Sequence, residues 1–106
     1  MNTHMTTLHI DTSGIREASV TLTSNGIVYE KTSSESALRS QALLPLIEDV
    51  AKEASITLTD ITHITVVLGP GSYTGLRVGL SVANMLGELL NVPINGKKAL
   101  ATPVYS

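Results

Sequence analysis

Hydrophobic and polar positions alternate along the first third of the chain. Residues 7–11 and 18–23 place apolar side chains at every second position, which is typical of strands with one buried face. The Asn25-Gly26 pair that follows is a strong hairpin signal, so residues 27–31 are predicted to return antiparallel to the second strand. The first third of the chain therefore predicts three consecutive strands.

The apolar positions then change to helical spacing in two segments, residues 38–54 and residues 75–90. Pro45 removes one backbone N–H donor from the first of these helices, and this costs least if the helix begins near Ser40. Between the helices, residues 61–68 end in a continuous apolar run that is typical of a buried strand. Residues 94–96 are predicted to form a short fifth strand or its edge, and residues 97–105 to begin a third helix, cut by Pro103.

This order of elements, β-β-β-α-β-α-β with a further α after it, predicts an α/β fold with a mixed five-stranded sheet flanked by helices. The ribonuclease H-like arrangement has this order. A length of 106 residues predicts one domain. We expect residues 1–5 to be a leader or disordered.

Composition excludes several classes of function. The chain has no cysteine, which excludes a disulfide framework, a thiolate metal site and a cysteine nucleophile. A net charge of −2 lacks the basic footprint of a nucleic-acid-binding protein. The most apolar long window, residues 76–94, contains Arg77, Asn84 and Glu88, which argues against a membrane span.

A glycine-rich turn joins the predicted fourth strand to the second helix. Its structural residues are Gly69, Pro70, Gly71 and Gly75. Glycine permits a positive φ and proline fixes its own φ, so the backbone is tightly constrained. A turn of this kind leaves N–H groups free at a helix N-terminus, where an anion or a partner could be received. The spacing matches no Walker A loop, dinucleotide fingerprint or nucleophile elbow, so Ser72 is not predicted to be a nucleophile.

Asp11, at the end of the first strand, is the best acidic candidate for chemistry. It could hold a hydrated metal or orient a phosphate, or it could cap the turn that follows, and the sequence leaves both interpretations open. A nucleotide- or anion-binding site would combine it with the glycine turn, and its residues would be Asp11, Thr12, Ser13, Gly71 and Ser72. The three histidines have no ligand-like spacing. We therefore predict no catalytic residue, no metal and no cofactor.

The second predicted helix is apolar over more than half of its circumference, whereas a helix on one sheet needs an arc of about 100° or somewhat more. A broad face that includes Val78, Met85 and Leu89 is predicted to pack on the sheet. A second apolar strip, which we call the shoulder, consists of Leu76, Leu80, Ala83 and Gly87. Its small residues would let another helix come close. Either the first helix or another polypeptide covers the shoulder, and the predicted partner interface is Leu44, Leu76, Gly79, Leu80, Ala83, Asn84 and Gly87.

Three segments resemble the TsaB family, also called YeaZ. They are Leu-His-Ile-Asp-Thr-Ser at residues 8–13, Ser-Gln-Ala-Leu-Leu-Pro-Leu-Ile at 40–47 and Gly-Pro-Gly-Ser-Tyr-Thr-Gly-Leu-Arg-Val-Gly at 69–79. The resemblance runs from about residue 7 to about residue 101. It implies one ribonuclease H-like lobe of the ASKHA (actin-like ATPase) class, without the second lobe of the family. It also implies a cytoplasmic, non-catalytic protein of tRNA N6-threonylcarbamoyladenosine biosynthesis.

The resemblance also implies partners. A TsaD-like paralogue, which carries the metal and transfers the threonylcarbamoyl group, would pair as a heterodimer with helices 38–54 and 75–90. A TsaE-like ATPase would join a larger complex, and neither strong direct nucleic-acid binding nor membrane binding is expected. The chain departs from the family in ending at Ser106, as a natural short form or a truncation, in having Arg39 where a histidine is expected, and in lacking the paralogue's His-x-x-x-His pair.

The leading hypothesis is therefore a non-catalytic partner subunit. The alternatives are an ATP/ADP- or anion-binding ASKHA-type domain and a homodimeric interaction module. The shoulder discriminates between them, because it is surplus to nucleotide binding but expected for pairing.

Overall fold

A computed structural model describes residues 5–14, 17–33, 40–71 and 73–97. The chain forms four strands, two α-helices and one short 3-10 helix in these ranges. They are β1 (Thr6–Asp11), β2 (Ala18–Ser24), β3 (Ile27–Ser33), α1 (Ser40–Glu53), a 3-10 turn (Leu58–Asp60), β4 (His63–Val66) and α2 (Tyr73–Leu90). Predicted residues 38–39 of the first helix, and nearly all of the predicted third helix, lie outside the described residues.

The sheet is mixed, with the strand order β3-β2-β1-β4. β1 pairs antiparallel with β2 and parallel with β4, and β2 pairs antiparallel with β3. The hairpin between β2 and β3 turns at Asn25 and Gly26, whose φ angles are 53° and 79°. The predicted three-strand meander and the antiparallel hairpin are therefore confirmed.

The predicted fifth strand is wrong in the described residues, where the sheet has four strands. Ile94 makes one parallel bridge to Ile64 at the outer edge of β4, and the chain then turns through Asn95 and Gly96, both with positive φ. The side chain of Asn95 continues the pairing in place of a backbone. Its Oδ1 accepts a hydrogen bond from the Val66 N–H at 2.9 Å, and its Nδ2 donates to the Val66 carbonyl at 3.2 Å.

The core lies between one face of the sheet and the two helices. Buried strand residues alternate with half-buried ones, as expected when a single face is covered. α1 contacts β2 and β3, α2 contacts β1 and β4, and the two helices contact each other. The largest fully buried side chains are Leu8, Ile10, Leu22, Leu43, Ile47, Ile64, Leu76 and Leu86. Neither α-helix in the described part of the chain is long and apolar enough to cross a bilayer.

The glycine turn leads from β4 into α2. Gly69 has a φ of 137°, a conformation that side chains rarely adopt, and the Gly69–Pro70 peptide is cis. α2 begins at Tyr73, two residues before the predicted start. In α1, Pro45 lies inside the helix, which the structure describes from Ser40 onward.

Candidate functional site: the glycine turn and the second helix

The loop after β1 is held by its own aspartate. Asp11 Oδ1 accepts one hydrogen bond from the Ser13 backbone N–H at 3.0 Å and a second from the Ser13 hydroxyl at 2.6 Å. This is the capping interpretation of Asp11, in which a short acidic side chain satisfies the backbone two residues on. The loop is thereby fixed in a conformation that turns Thr12 inward.

Thr12 joins the end of β1 to the first turns of α2. Its side chain is fully buried, and its hydroxyl donates a hydrogen bond to the Gly75 carbonyl at 2.5 Å. A Cβ placed on Gly79 would overlap Thr12 Oγ1 and would lie 3.2 Å from Thr12 Cγ2. Gly79 is therefore needed for the close approach of α2 to Thr12, and we call this contact the Thr12 anchor.

The glycine turn itself packs against the same loop. A Cβ on Gly71 would lie 2.8 Å from Ser13 Cβ, which is closer than real Cβ atoms approach, and 3.0 Å from Ser13 backbone atoms. The loop after β1 and the glycine turn thus form one close-packed junction. Ser72, the remaining residue of the predicted anion site, lies outside the described residues.

The junction brings Asp11, Ser13 and Gly71 together, as the anion-site prediction required, but the Thr12 side chain points into the interior. The Thr12 hydroxyl is buried and donates to the Gly75 carbonyl, so this hydroxyl is not presented to a ligand, and the anion site stays a prediction. A shallow depression beside Asp11 and Ser13 is also lined by Glu17 and Glu30. Three carboxylates around one opening disfavour an anion by like-charge repulsion. In the described ranges, no group of three His, Asp or Glu side chains is arranged to hold a metal ion.

The shoulder of α2 is not a free surface. Leu76 and Ala83 are fully buried, Leu80 is 9% exposed, and Gly79 and Gly87 are buried too. The glycines accommodate side chains of this chain rather than another helix: Thr12 packs on Gly79, and Ile94 Cδ1 would lie 2.5 Å from a Cβ on Gly87. The expectation that the shoulder is surplus apolar surface is therefore wrong, because its residues are buried and Ile94 packs on Gly87. Of the other predicted interface residues, Leu44 and Asn84 are half-buried.

Exposed apolar surface lies on the opposite flank of α2. Met85 is 46% exposed and Leu89 is 74% exposed, and Val78, on the same strip, is half-buried. We call these three residues the outer flank. The sequence had placed them on the face that packs on the sheet, and the structure corrects this.

The outer flank lies on the side of α2 that faces α1. Gly87 contacts Ile94 at the outer edge of β4, while α1 covers β2 and β3. Val78 and Leu89 are turned roughly half a revolution around the helix axis from Gly87, so they point towards the α1 side. On α1, Leu44 and Leu46 are half-buried and Pro45 is exposed. Both helices therefore carry apolar side chains that are at least partly exposed.

Sequence reasoning missed the Thr12 anchor and the cover provided by Ile94. The available signal was the four-residue spacing of Gly75, Gly79, Ala83 and Gly87, which correctly indicated a close approach but not which segment approaches. A tertiary contact separated by 63 residues, such as Thr12 to Gly75, leaves no local pattern.

Comparisons with known proteins agree with this architecture. A family model described as "TsaD: tRNA N6-adenosine threonylcarbamoyltransferase" matches residues 14–105. The tRNA threonylcarbamoyladenosine biosynthesis protein TsaB of Buchnera aphidicola subsp. Schizaphis graminum is 33% identical over 94 residues, which are 89% of this chain and 44% of that protein. The tRNA N6-adenosine threonylcarbamoyltransferase of Nitrosospira multiformis is 42% identical over 71 residues, 67% of this chain and 20% of that protein.

The solved structure of YeaZ from Pseudomonas aeruginosa superposes with a TM-score of 0.79 at 32% identity, over 85% of this chain and 42% of that one. This chain thus spans about two fifths of the length of its TsaB and YeaZ relatives. The likeness confirms the predicted fold class, a YeaZ-like α/β lobe related to the ASKHA proteins, with four strands in place of five. The chain belongs to the TsaD family of proteins and, within it, to the TsaB (YeaZ) group.

Proposed function

We propose that this chain is a cytoplasmic, non-catalytic partner subunit in tRNA N6-threonylcarbamoyladenosine biosynthesis. It binds a TsaD-like threonylcarbamoyltransferase through α1 and α2, in a complex that a TsaE-like ATPase joins. The observation that carries the proposal is the outer flank, on which Met85 and Leu89 are exposed and Val78 is half-buried. The names of the TsaB relatives supply the pathway.

The chemistry of the outer flank suits a protein partner. It is apolar, it has no charged member, and it runs for three helical turns along a rigid element that is packed at both ends. Burial of apolar side chains is the main favourable term in association. Val78, Met85 and Leu89 are separated by seven and four residues, a spacing typical of the apolar positions through which one helix binds another. The partner surface is therefore expected to be a helix or helix pair with apolar side chains at matching positions.

The described residues favour a binding role over a transferase role. The Asp11 carboxylate is engaged by Ser13 and the Thr12 hydroxyl by Gly75. The Thr12 hydroxyl is thus not available to a substrate, and Oδ1 of Asp11 is used within its own loop. The paralogue that matches the same family model is proposed to supply the chemistry.

The test measures the affinity of the purified chain for the TsaD-like transferase of the same genome by isothermal titration calorimetry. Leu89→Asp places a charge in the proposed interface and is expected to weaken binding about a hundredfold or more, since burying an unpaired charge is costly. Val28→Asp is the matched control, because Val28 is 62% exposed and lies on β3, and it is expected to leave the affinity unchanged.

Light scattering of the chain alone completes the test. A monomer that forms a one-to-one complex with the transferase agrees with the proposal. No heat of binding with the wild-type chain, or equal losses for Leu89→Asp and Val28→Asp, would overturn it. A stable dimer that Leu89→Asp dissociates, without any transferase binding, would replace it with the homodimeric alternative.

A further inference from the structure

The outer flank is part of a helix whose position on the sheet is set at two points. At its C-terminal end, Gly87 packs against Ile94, and the Val92 N–H donates to the Gly87 carbonyl at 3.0 Å. At its N-terminal end, the Thr12 anchor bonds to Gly75 and packs against Gly79. The outer flank begins beside the first point, at Val78, and extends two residues past the second, to Leu89.

From these two contacts we infer that Thr12 is a positioning residue for partner binding, acting through Gly75 and Gly79 on the angle at which α2 presents the outer flank. This inference rests on the proposed function. Thr12 itself is fully buried and cannot touch a partner, so any effect it has on binding passes through α2.

The loop after β1 is rigid enough to serve as such an anchor. The two hydrogen bonds that Asp11 accepts from Ser13 fix the backbone on either side of Thr12. Ser13 is in turn close-packed against Gly71 in the glycine turn, from which α2 starts. The anchor therefore connects α2 to β1, which pairs with β2 and β4 in the middle of the sheet.

A small change in the angle of α2 at the Thr12 anchor displaces the outer flank, because Val78 is far from the Gly87 contact. Val78 lies nine residues from Gly87, about 13 Å along the helix axis. If the anchor is lost and α2 turns by about 10° around the Gly87 contact, Val78 moves by about 2 Å. Interfaces pack as closely as protein interiors, so a displacement of this size separates contacts that the partner needs.

The test compares four variants for binding to the TsaD-like transferase and for stability. Thr12→Val replaces the hydroxyl with a methyl group, and it is expected to weaken binding about tenfold, because a shifted α2 no longer fits a closely packed partner surface. Thr12→Ser keeps the hydroxyl and is expected to bind within about twofold of wild type. Thr21→Val, the same change on the half-buried outer side of β2, is expected to have no effect on binding.

Val20→Ala separates positioning from general destabilisation. Val20 is buried on β2, which packs against α1, so this variant lowers the melting temperature without touching the anchor. If the two variants lower the melting temperature equally, an equal loss of affinity in Val20→Ala and Thr12→Val would overturn the inference. Wild-type affinity in Thr12→Val would overturn it too. If Thr12→Val fails to fold, Thr12→Ala, which adds no bulk, takes its place.

Hydrogen exchange of the α2 backbone amides tests the anchor without any partner. Thr12→Val is expected to raise the exchange rate of the backbone amides in the first two turns of α2 about tenfold. Thr12→Ser and Val20→Ala are expected to leave these rates unchanged. If wild type does not bind the transferase, the proposed function fails while this readout still decides whether Thr12 positions α2. Unchanged exchange in Thr12→Val would overturn the anchor itself.

Discussion

The two apolar flanks of α2 differ in burial, and the difference is the reverse of what the sequence predicts. The shoulder, Leu76, Leu80, Ala83 and Gly87, is buried, and Ile94 packs on it at Gly87. The outer flank, Val78, Met85 and Leu89, keeps two strongly exposed side chains beside α1. The shoulder combines two leucines with the small residues Ala83 and Gly87, whereas the outer flank has no small residue.

This difference shows what the small residues are for. A glycine on a helix removes the side chain that would keep a neighbour at a distance, so it marks a place where the same chain comes close as readily as a place where a partner does. In α2 both buried glycines of the shoulder side, Gly79 and Gly87, are filled from within the chain. Exposed Met85 and Leu89, which have no such cover among the described residues, are the better markers of a docking surface.

The largest predicted effect comes from a charge on the shoulder. Leu76→Asp buries a carboxylate where a leucine is fully enclosed, and it is expected to cost about 4 kcal/mol or more and to leave the chain largely unfolded. Circular dichroism during urea titration measures this. A cooperative transition at the wild-type midpoint would show that the shoulder is open.

The next effect is a coupling between Thr12 and Gly79. Gly79→Ala forces a methyl group into Thr12 and is expected to cost about 1–3 kcal/mol by overpacking. In a Thr12→Ala background the contacts with Oγ1 and Cγ2 disappear, and the nearest remaining Thr12 atom, Cβ, is 3.3 Å away. In that background the methyl group added by Gly79→Ala is expected to lower the free energy of unfolding much less. A double-mutant cycle of unfolding free energies measures the coupling, and simple additivity would contradict the anchor.

A smaller effect is expected from Asn95, which holds Ile94 against Gly87. Asn95→Ala removes two hydrogen bonds to the Val66 backbone and is expected to cost about 1 kcal/mol. Asn95→Asp is the control that keeps the acceptor for the Val66 N–H but loses the donor, so it should fall between wild type and Asn95→Ala in chemical denaturation. Wild-type stability in Asn95→Ala would mean that the shoulder needs no support from this side.

The smallest effect is expected from the ion pair between Lys31 and Glu53. The hydrogen bond from Lys31 to Glu53, and their charge attraction, raise the pKa of Lys31 above its usual value. The pair's contribution is therefore present below the unfolded pKa, near 10.5, and is lost as pH rises through the folded pKa. The two side chains are 39% and 47% exposed and solvent screens the pair, so Lys31→Met is expected to leave the melting temperature at pH 7 indistinguishable from wild type. Partner binding should show the same insensitivity, because neither flank of α2 is charged.

The sequence predicted those parts of the fold that depend on local patterns. Alternation located β1 and β2, Asn25-Gly26 located the hairpin, and the glycine turn was correctly expected to lead into a helix. The fifth strand failed because the Asn95 side chain, and not the backbone, continues the pairing. This substitution has no signature in a three-residue window.

The candidate site was less predictable for a related reason. Helical periodicity shows which positions of α2 are apolar, but the direction of the sheet relative to them depends on contacts made elsewhere in the chain. Thr12 packs on Gly79 and Ile94 packs on Gly87. With these two glycines turned inward, Met85 and Leu89 face outward. Asp11 was identified as a residue of interest, and its role as a cap became evident only with its distances to Ser13.

The absence of native cysteine permits the most direct test of the central claim. Single variants Leu89→Cys and Val28→Cys, each labelled with a short photoreactive maleimide, are mixed with the TsaD-like transferase, and the cross-linked product is identified by mass spectrometry. We predict an abundant cross-link from position 89, at sites on one helical surface of the transferase, and none above background from position 28. Equal cross-linking from both positions, or a cross-link from position 28 alone, would contradict the assignment of the outer flank as the docking surface.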